Sequence, residues 1–365
     1  MTFYKFSLVL ALAASSLRSE AALVPMTDPH LQIVGRIDRS DPKVVPLHWS
    51  GSLVRANFNG TSLALRLSAT PNLSGKPDPN WAQYLWVIVD GQDDKAVQIK
   101  VEEAEKDYPV MAGLKDGEHS LLIVKKTEAF SGDTLLSQII LDRGKGLSEP
   151  PQARRRRIQF IGDSLTCAYG VDCEGRPCEK DSANENAYHS WARVLADRFN
   201  ADHHIIAQTG IGLRLGYTDR LLGEVIDGLR LSDFGATWDA SRWQPDLVIL
   251  CFFGNDADFG PNAANTVSQY KQSYVELIQQ VRKSNPQAVI LCTMGSWATD
   301  PKLPWVGIYN DAVREMNTAF KDSRVFAMPK GIKYTGIKTH PKIKDQIAIA
   351  GEVGDFVHAK LPLGW

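Results

Sequence analysis

The sequence predicts an α/β fold: a parallel, flavodoxin-like sheet with helices on both faces, preceded by a β-sandwich of jelly-roll type. Two observations carry this. Residues 22–147 read as short strands separated by turn signals every 8–12 residues or so, the rhythm of an all-β sandwich. From Ile158 onward, apolar segments alternate with segments of helical period, as in a sheet wrapped by helices. Residues 148–157 lie between the two halves. They hold Pro150, Pro151 and the run Arg154 to Arg157, and read as a linker with a solvated basic edge.

In the first half, LVRANFNGTSLALRLSA alternates apolar and polar residues from Leu53. Asn59-Gly60 inside it reads as a tight hairpin turn, because such turns need positive φ. AQYLWVIVDG, AVQIKVE, HSLLIVKKTE and LLSQIILD follow as further strands. In the second half, residues 158–365, IQFIGDS is a short apolar strand. Trp191, Leu195 and Phe199 then recur at helical spacing. HHIIAQTG and PDLVILCFFGND are the next strands, the latter apolar throughout, as a strand covered on both faces would be. YKQSYVELIQQVRKSNP is a helix that stops at Pro286, AVILCTMGS a strand, YNDAVREMNTAFK a helix, and RVFAMPK a strand. The closing helix, PKIKDQIAIAGEVGDFVHAKL, has Pro341 suited to its first turn.

Residues 1–21 resemble a secretory signal peptide, with Lys5, an apolar core from Phe6 to Ala14, and small Ser19 and Ala21 at a cleavage site. That core is shorter than the ~20 residues needed to span a bilayer. A secreted or periplasmic location is the expectation. Cys173 and Cys178 can close a small disulfide loop in an exported chain, while Cys251 and Cys292 sit in apolar runs and read as buried. The formal net charge of -1 gives no electrostatic reason to expect nucleic acid or a membrane as partner. The Cys and His spacings supply no zinc set, and neither a metal nor an organic cofactor is expected.

In open α/β sheets, sites form beyond the carboxyl ends of the strands. Three strand ends here carry small polar residues: Gly162-Asp163-Ser164, Thr209-Gly210-Ile211-Gly212 and Gly254-Asn255-Asp256. A serine hydroxyl needs a base to become a nucleophile, and an ester carbonyl needs donors aimed at its developing oxyanion. Ser164 is the candidate nucleophile. Its own N–H, the Gly210 N–H and the Asn255 amide are the candidate oxyanion donors, with Gly212 a rival to Gly210. His340, ahead of the last helix, is the candidate base. Each has a plainer alternative: Ser164 as a helix cap, Asn255 as a turn residue, Gly210 as a turn glycine, His340 as a surface histidine. Asp163 and Asp256 read as loop braces, and His189, His203 and His204 as surface or packing residues. Cys167, Ala168 and Gly170 are suited to frame a shallow acyl pocket. Trp297 and Trp305, after the fourth strand, are suited to a sugar platform or to core packing.

The segments FIGDSLTCAYG, TGIG, FFGNDADF and THP occur in the order of the SGNH (GDSL-type) hydrolases. Joined to an N-terminal β-sandwich, the whole mature chain most resembles carbohydrate esterase family 2. The resemblance implies an exported acetylesterase acting on acetylated plant polysaccharides such as xylan and glucomannan. It implies Ser164 as nucleophile, Gly210 and Asn255 in the oxyanion hole, and His340 as base. Many SGNH enzymes carry an Asp two or three residues before that histidine; here the positions are Lys338 and Ile337. A Ser–His dyad is therefore the expectation, and Asp345 a poor substitute on geometry. The missing acid also motivates a different reading, a glycan-binding protein with little turnover. A lipid or sialate esterase stands as an alternative within the hydrolases.

Overall fold

The computed structural model describes residues 21–76, 78–173, 180–252, 254–259, 266–295, 307–328 and 340–365. The signal-like residues 1–20 and Cys178 lie outside them, as do Trp297, Trp305, Ile337 and Lys338.

The first half is one antiparallel sheet of eight strands: β1 Ala22–Val24, β2 Gln32–Val34, β3 Val45–Leu47, β4 Leu53–Ala69, β5 Gln83–Val89, β6 Val97–Val101, β7 Lys106–Lys125 and β8 Thr134–Leu141. β4 and β7 are long and pair along most of their length, from Leu53 with Val124 to Leu67 with Lys106. The other edge of β4 pairs first with β2, at residues 53–55, and then with β8, at residues 63–69. The two layers expected of a sandwich are thus joined into one hydrogen-bonded sheet. The first half of β7, which includes Pro109, carries no clean alternation and was not expected as a strand.

Asn59-Gly60 is not a hairpin turn. It lies inside β4, where the register with β7 shifts between Gly60 and Ser62. Before the shift Val54 and Phe58 face the core; after it Leu63, Leu65 and Leu67 do, so the inward positions change parity. Gly60 has φ +146°, and a Cβ there would stand 2.9 Å from Asp142 Oδ2. That oxygen accepts the N–H groups of Thr61 and Ser62, at 2.5 and 3.1 Å. Positive φ serves a strand kink here rather than a turn.

The second half is a five-stranded parallel sheet of β9 Arg156–Gly162, β10 Ala201–Ala207, β13 Leu247–Cys251, β14 Val289–Thr293 and β15 Val325–Ala327, in the order β10-β9-β13-β14-β15. A two-stranded ribbon, β11 Gly228–Arg230 with β12 Asp233–Thr237, stands apart from it. The helical segments are α1 Ser164–Cys167, α2 Trp191–Arg198, α3 Leu222–Val225, α4 Gly254–Phe259, α5 Val267–Ser284, α6 Ile308–Thr318 and α7 Ile343–Lys360. Alternate strand residues feed two cores. Phe160, Ile205, Ile249 and Leu291 meet Trp191 and Leu195 of α2 and Ile349 and Val353 of α7. Ile161, Ile206, Val248 and Ile290 meet Tyr270 and Tyr274 of α5 and Ala312 of α6. The strand order reverses direction beside β9, so the ends of β10, β9 and β13 open onto one crevice.

The two halves share structure. Trp49 and Ala129 of the antiparallel half belong to the α5–α6 core. Arg36 Nη1 donates to Ile226 O at 2.7 Å, Trp49 Nε1 to Leu229 O at 2.9 Å, and Arg55 pairs with Asp202 at 2.6 Å. The arginine run is less solvated than expected. β9 already begins at Arg156, Arg154 pairs with Asp197 at 2.5 Å, and Arg156 Nη1 donates to Phe199 O. Among the described residues no helix is long and apolar enough to cross a membrane.

Candidate functional site

β9 ends on Gly162, where a Cβ would stand 2.2 Å from Thr166 Oγ1 and 2.6 Å from Cys251 O. Only glycine lets α1 fold back this closely over the strand end. Asp163 caps α1, its Oδ1 accepting the Leu165 N–H at 3.1 Å. Ser164 is therefore not the cap, and its Oγ lies 2.8 Å from His340 Nε2. His340 stands just ahead of α7, its ring edge-on to Tyr169 with centroids 4.9 Å apart. Lys342 Nζ donates to Gly170 O at 2.9 Å, tying the start of α7 to the serine loop. Asp345 Oδ2 accepts the Lys342 N–H at 3.2 Å, so this carboxylate serves the helix start.

The loop after β10 carries the second block. Gly210 has φ +80°. A Cβ at Gly212 would overlap Leu215 O at 1.6 Å, which makes Gly212 a packing glycine. Asp256, expected to brace its own loop, braces this one instead, accepting the N–H groups of Leu213, Arg214 and Leu215 at 2.8, 2.8 and 2.9 Å. Asn255, beside it at the start of α4, donates from Nδ2 to Ile211 O at 2.7 Å. One amide hydrogen thus fixes the side chain and a second remains on the same nitrogen.

Ser164, Gly210, Asn255 and His340 line one cleft of about 1040 Å³; Gly212 does not. Cys167, Ala168 and Gly170 are buried but do not face it, which corrects their expected part in an acyl pocket. They pack behind the serine, Cys167 Sγ standing 3.7 Å from Ser164 O. The antiparallel half supplies another wall, with Leu73, Trp81, Glu128 and Phe130. Tyr217 lines the cleft and is 66% exposed, and its ring meets that of Phe259, 46% exposed, with centroids 5.1 Å apart. Tyr217 and Glu128 were not singled out from the sequence. Tyr217 follows the glycine turn closely enough to have been suspected; Glu128 lies in the other half of the chain and carries no motif.

Of the other histidines, His203 and His204 are buried packing residues. Burial lowers His203 to about 3, and His204 stacks on Trp243 with ring centroids 3.7 Å apart. His189 meets Asp172 Oδ1 at 3.2 Å. Cys173 is disulfide-bonded, and Cys167, Cys251 and Cys292 are free and buried. Among the described residues no group of three or more His, Cys, Asp or Glu side chains is arranged to hold a metal ion.

Asp163 is fully buried, and burial, with Asp256 nearby, raises its carboxyl from 3.8 to about 7. Between those values the folded chain holds a proton that the unfolded chain has lost, so this group's contribution makes stability fall as pH rises through that window. Asp163→Asn keeps a capping oxygen and removes the titration. Urea midpoints from pH 4 to 8 should show the parent losing stability relative to the variant up to about pH 7. Parallel curves would contradict this.

Residues 33–151 match the family model described as carbohydrate esterase 2 N-terminal, and residues 160–332 that of the GDSL-like lipase/acylhydrolase family. The chain is 33% identical over 276 residues to the cellulase/esterase CelE of Acetivibrio thermocellus, covering 74% of this chain and 32% of that protein. It thus spans about a third of that relative's length. It is 25% identical over 362 residues to an acetylxylan esterase / glucomannan deacetylase of Cellvibrio japonicus, covering 94% of this chain and 95% of the relative. The solved structure of a family two carbohydrate esterase from Clostridium thermocellum in complex with cellohexaose superposes with a TM-score of 0.79. Its sequence is 28% identical, and the match covers 92% of this chain and 99% of that one.

Proposed function

This chain belongs to carbohydrate esterase family 2, and on that premise we propose that it is a serine-dependent O-acetylesterase of acetylated plant polysaccharides. The observation that carries the reading is the 2.8 Å contact of Ser164 Oγ with His340 Nε2, in a cleft also lined by Gly210 and Asn255. His340 Nε2 takes the Ser164 proton as Oγ attacks the acetyl carbonyl. The Ser164 N–H, the Gly210 N–H and the second hydrogen of Asn255 Nδ2 hold the oxyanion. Collapse of the intermediate breaks the ester bond, and the sugar oxygen leaves with the proton from His340. Water, deprotonated by His340, then attacks the acetyl-serine, and acetate leaves. Side chains, backbone N–H groups and water take part in these steps.

With no Asp at 337 or 338, the reading is a dyad. The edge-on Tyr169 ring helps to orient the imidazole, and Asp345 is occupied at the start of α7. The relatives' names support xylan and glucomannan as the substrate class. Tyr217, which lines the cleft and is backed by the exposed Phe259 ring, suits the apolar face of a sugar ring. Export belongs to the same reading: residues 1–21 resemble a signal peptide, and a disulfide at Cys173 persists best in an oxidising compartment. A glycan-binding protein without turnover accounts for the aromatic pair but gives no reason for the serine–histidine contact.

The test is acetate release from acetylated xylan and glucomannan by the parent and by Asn255→Ala. The parent releases acetate; the variant loses about 10²- to 10³-fold in kcat, the cost of one oxyanion donor. Polysaccharide binding with no acetate release by the parent would overturn the reading.

A further inference from the structure

Glu128 belongs to the antiparallel half by sequence, three residues after the end of β7, yet its carboxyl reaches the loop after β10. Oε2 accepts the Thr209 N–H at 2.7 Å, one residue before Gly210. Cys167 Sγ of α1 stands 4.0 Å from the same oxygen and 3.5 Å from Thr209 Oγ1. One carboxyl oxygen therefore lies between the segment that follows the serine and the segment that carries the glycine donor.

The backbone of Glu128 is itself held. The Glu128 N–H donates to Glu185 Oε2 at 2.8 Å, and Lys125 Nζ donates to Glu128 O at 3.2 Å. Glu128, Glu185 and Lys125 are fully buried. Burial raises both carboxyl groups above the ordinary carboxylate range, and the nearby Glu128 raises Glu185 further. A buried carboxylate is costly unless its lone pairs are satisfied, so this arrangement invites a purpose at the loop it touches.

That purpose lies in the softness of the loop. Gly210 sits at φ +80°, where glycine has little preference of its own. The direction of its N–H must be set by its neighbours. On one side the Tyr217 N–H donates to Gly210 O at 2.8 Å. On the other, Glu128 holds the preceding N–H.

We propose that Glu128 is a positioning residue: by holding the Thr209 N–H it aims the Gly210 N–H into the cleft, so that the antiparallel half completes the oxyanion site of its partner sheet. The proposal rests on the acyl-transfer reading above. It also gives the first half of the chain a part in turnover beyond forming a wall.

The experiment compares Glu128→Ala, Glu128→Asp and Glu128→Gln in the full chain, with Ser164→Ala alongside and 4-nitrophenyl acetate as probe. Turnover is referred to folded protein. Gln keeps an oxygen of the same reach for Thr209 and carries no charge. Asp keeps the carboxyl group but falls short by one methylene. Glu128→Ala and Glu128→Asp should lose roughly 10- to 100-fold in kcat with KM within about threefold, while Glu128→Gln stays within about fivefold of the parent; complete loss of a donor sets the upper limit at about 10³. If Glu128→Ala does not fold, Asp against Gln decides. Parental kcat in Glu128→Asp, an equal loss in Glu128→Gln, or a loss confined to KM would overturn the proposal. Those results with an inactive Ser164→Ala leave the esterase reading standing; an active Ser164→Ala brings down both.

Discussion

Ser164→Ala should lower kcat/KM for acetyl esters by at least about 10⁴-fold, with little change in stability. The size follows from chemistry. Removing Oγ removes the covalent route, and only oxyanion stabilisation and binding remain to help water attack directly. The small effect on stability follows from position. Asp163, not Ser164, caps α1, and the Ser164 hydroxyl turns to His340. Replacing it with a methyl group leaves the cap and the β9 strand end untouched. A loss of activity accompanied by an equal loss of folded protein would mean that the serine is structural.

His340→Ala should cost a similar factor, roughly 10⁴-fold or more, because the hydroxyl then keeps its proton at the moment of attack. The double variant Ser164→Ala/His340→Ala should be no worse than either single variant. Two groups that act as one unit do not add. Losses that multiplied would show that the two side chains act in separate steps, contrary to their 2.8 Å contact. The imidazole is held by the edge of Tyr169 and by the anchoring of Lys342 on Gly170 O. His340→Ala therefore tests the base itself and leaves both segments in place.

Much of the second half could be read from the sequence, because helix period and buried-strand runs are local signals. Phe160, Ile249 and Leu291 face one core and Ile161, Val248 and Ile290 the other, as all-apolar strands imply. The three polar strand ends converge because a sheet of order β10-β9-β13 brings them to one edge. The first half was less legible. Asn59-Gly60 has the composition of a turn, and only the Asp142 carboxylate, 81 residues from Thr61, makes it a bulge. The first part of β7 is held by pairing with β4 rather than by its own alternation. Glu128 could not be found locally at all: its meaning lies in the distance to Thr209, 81 residues away. The arginine run shows the same limit, since four adjacent charges read as solvated until Asp197 and the Phe199 carbonyl are placed beside them.

The central claim is that the acetyl group passes through Ser164 Oγ. The most direct test is acid quenching of the enzyme during turnover of an acetyl ester, followed by digestion and mass analysis of the peptide that carries Ser164. The account predicts one acetyl group on Ser164, absent from the Ser164→Ala protein. Full turnover with no acetyl on this serine, or with the acetyl on another residue, would contradict it.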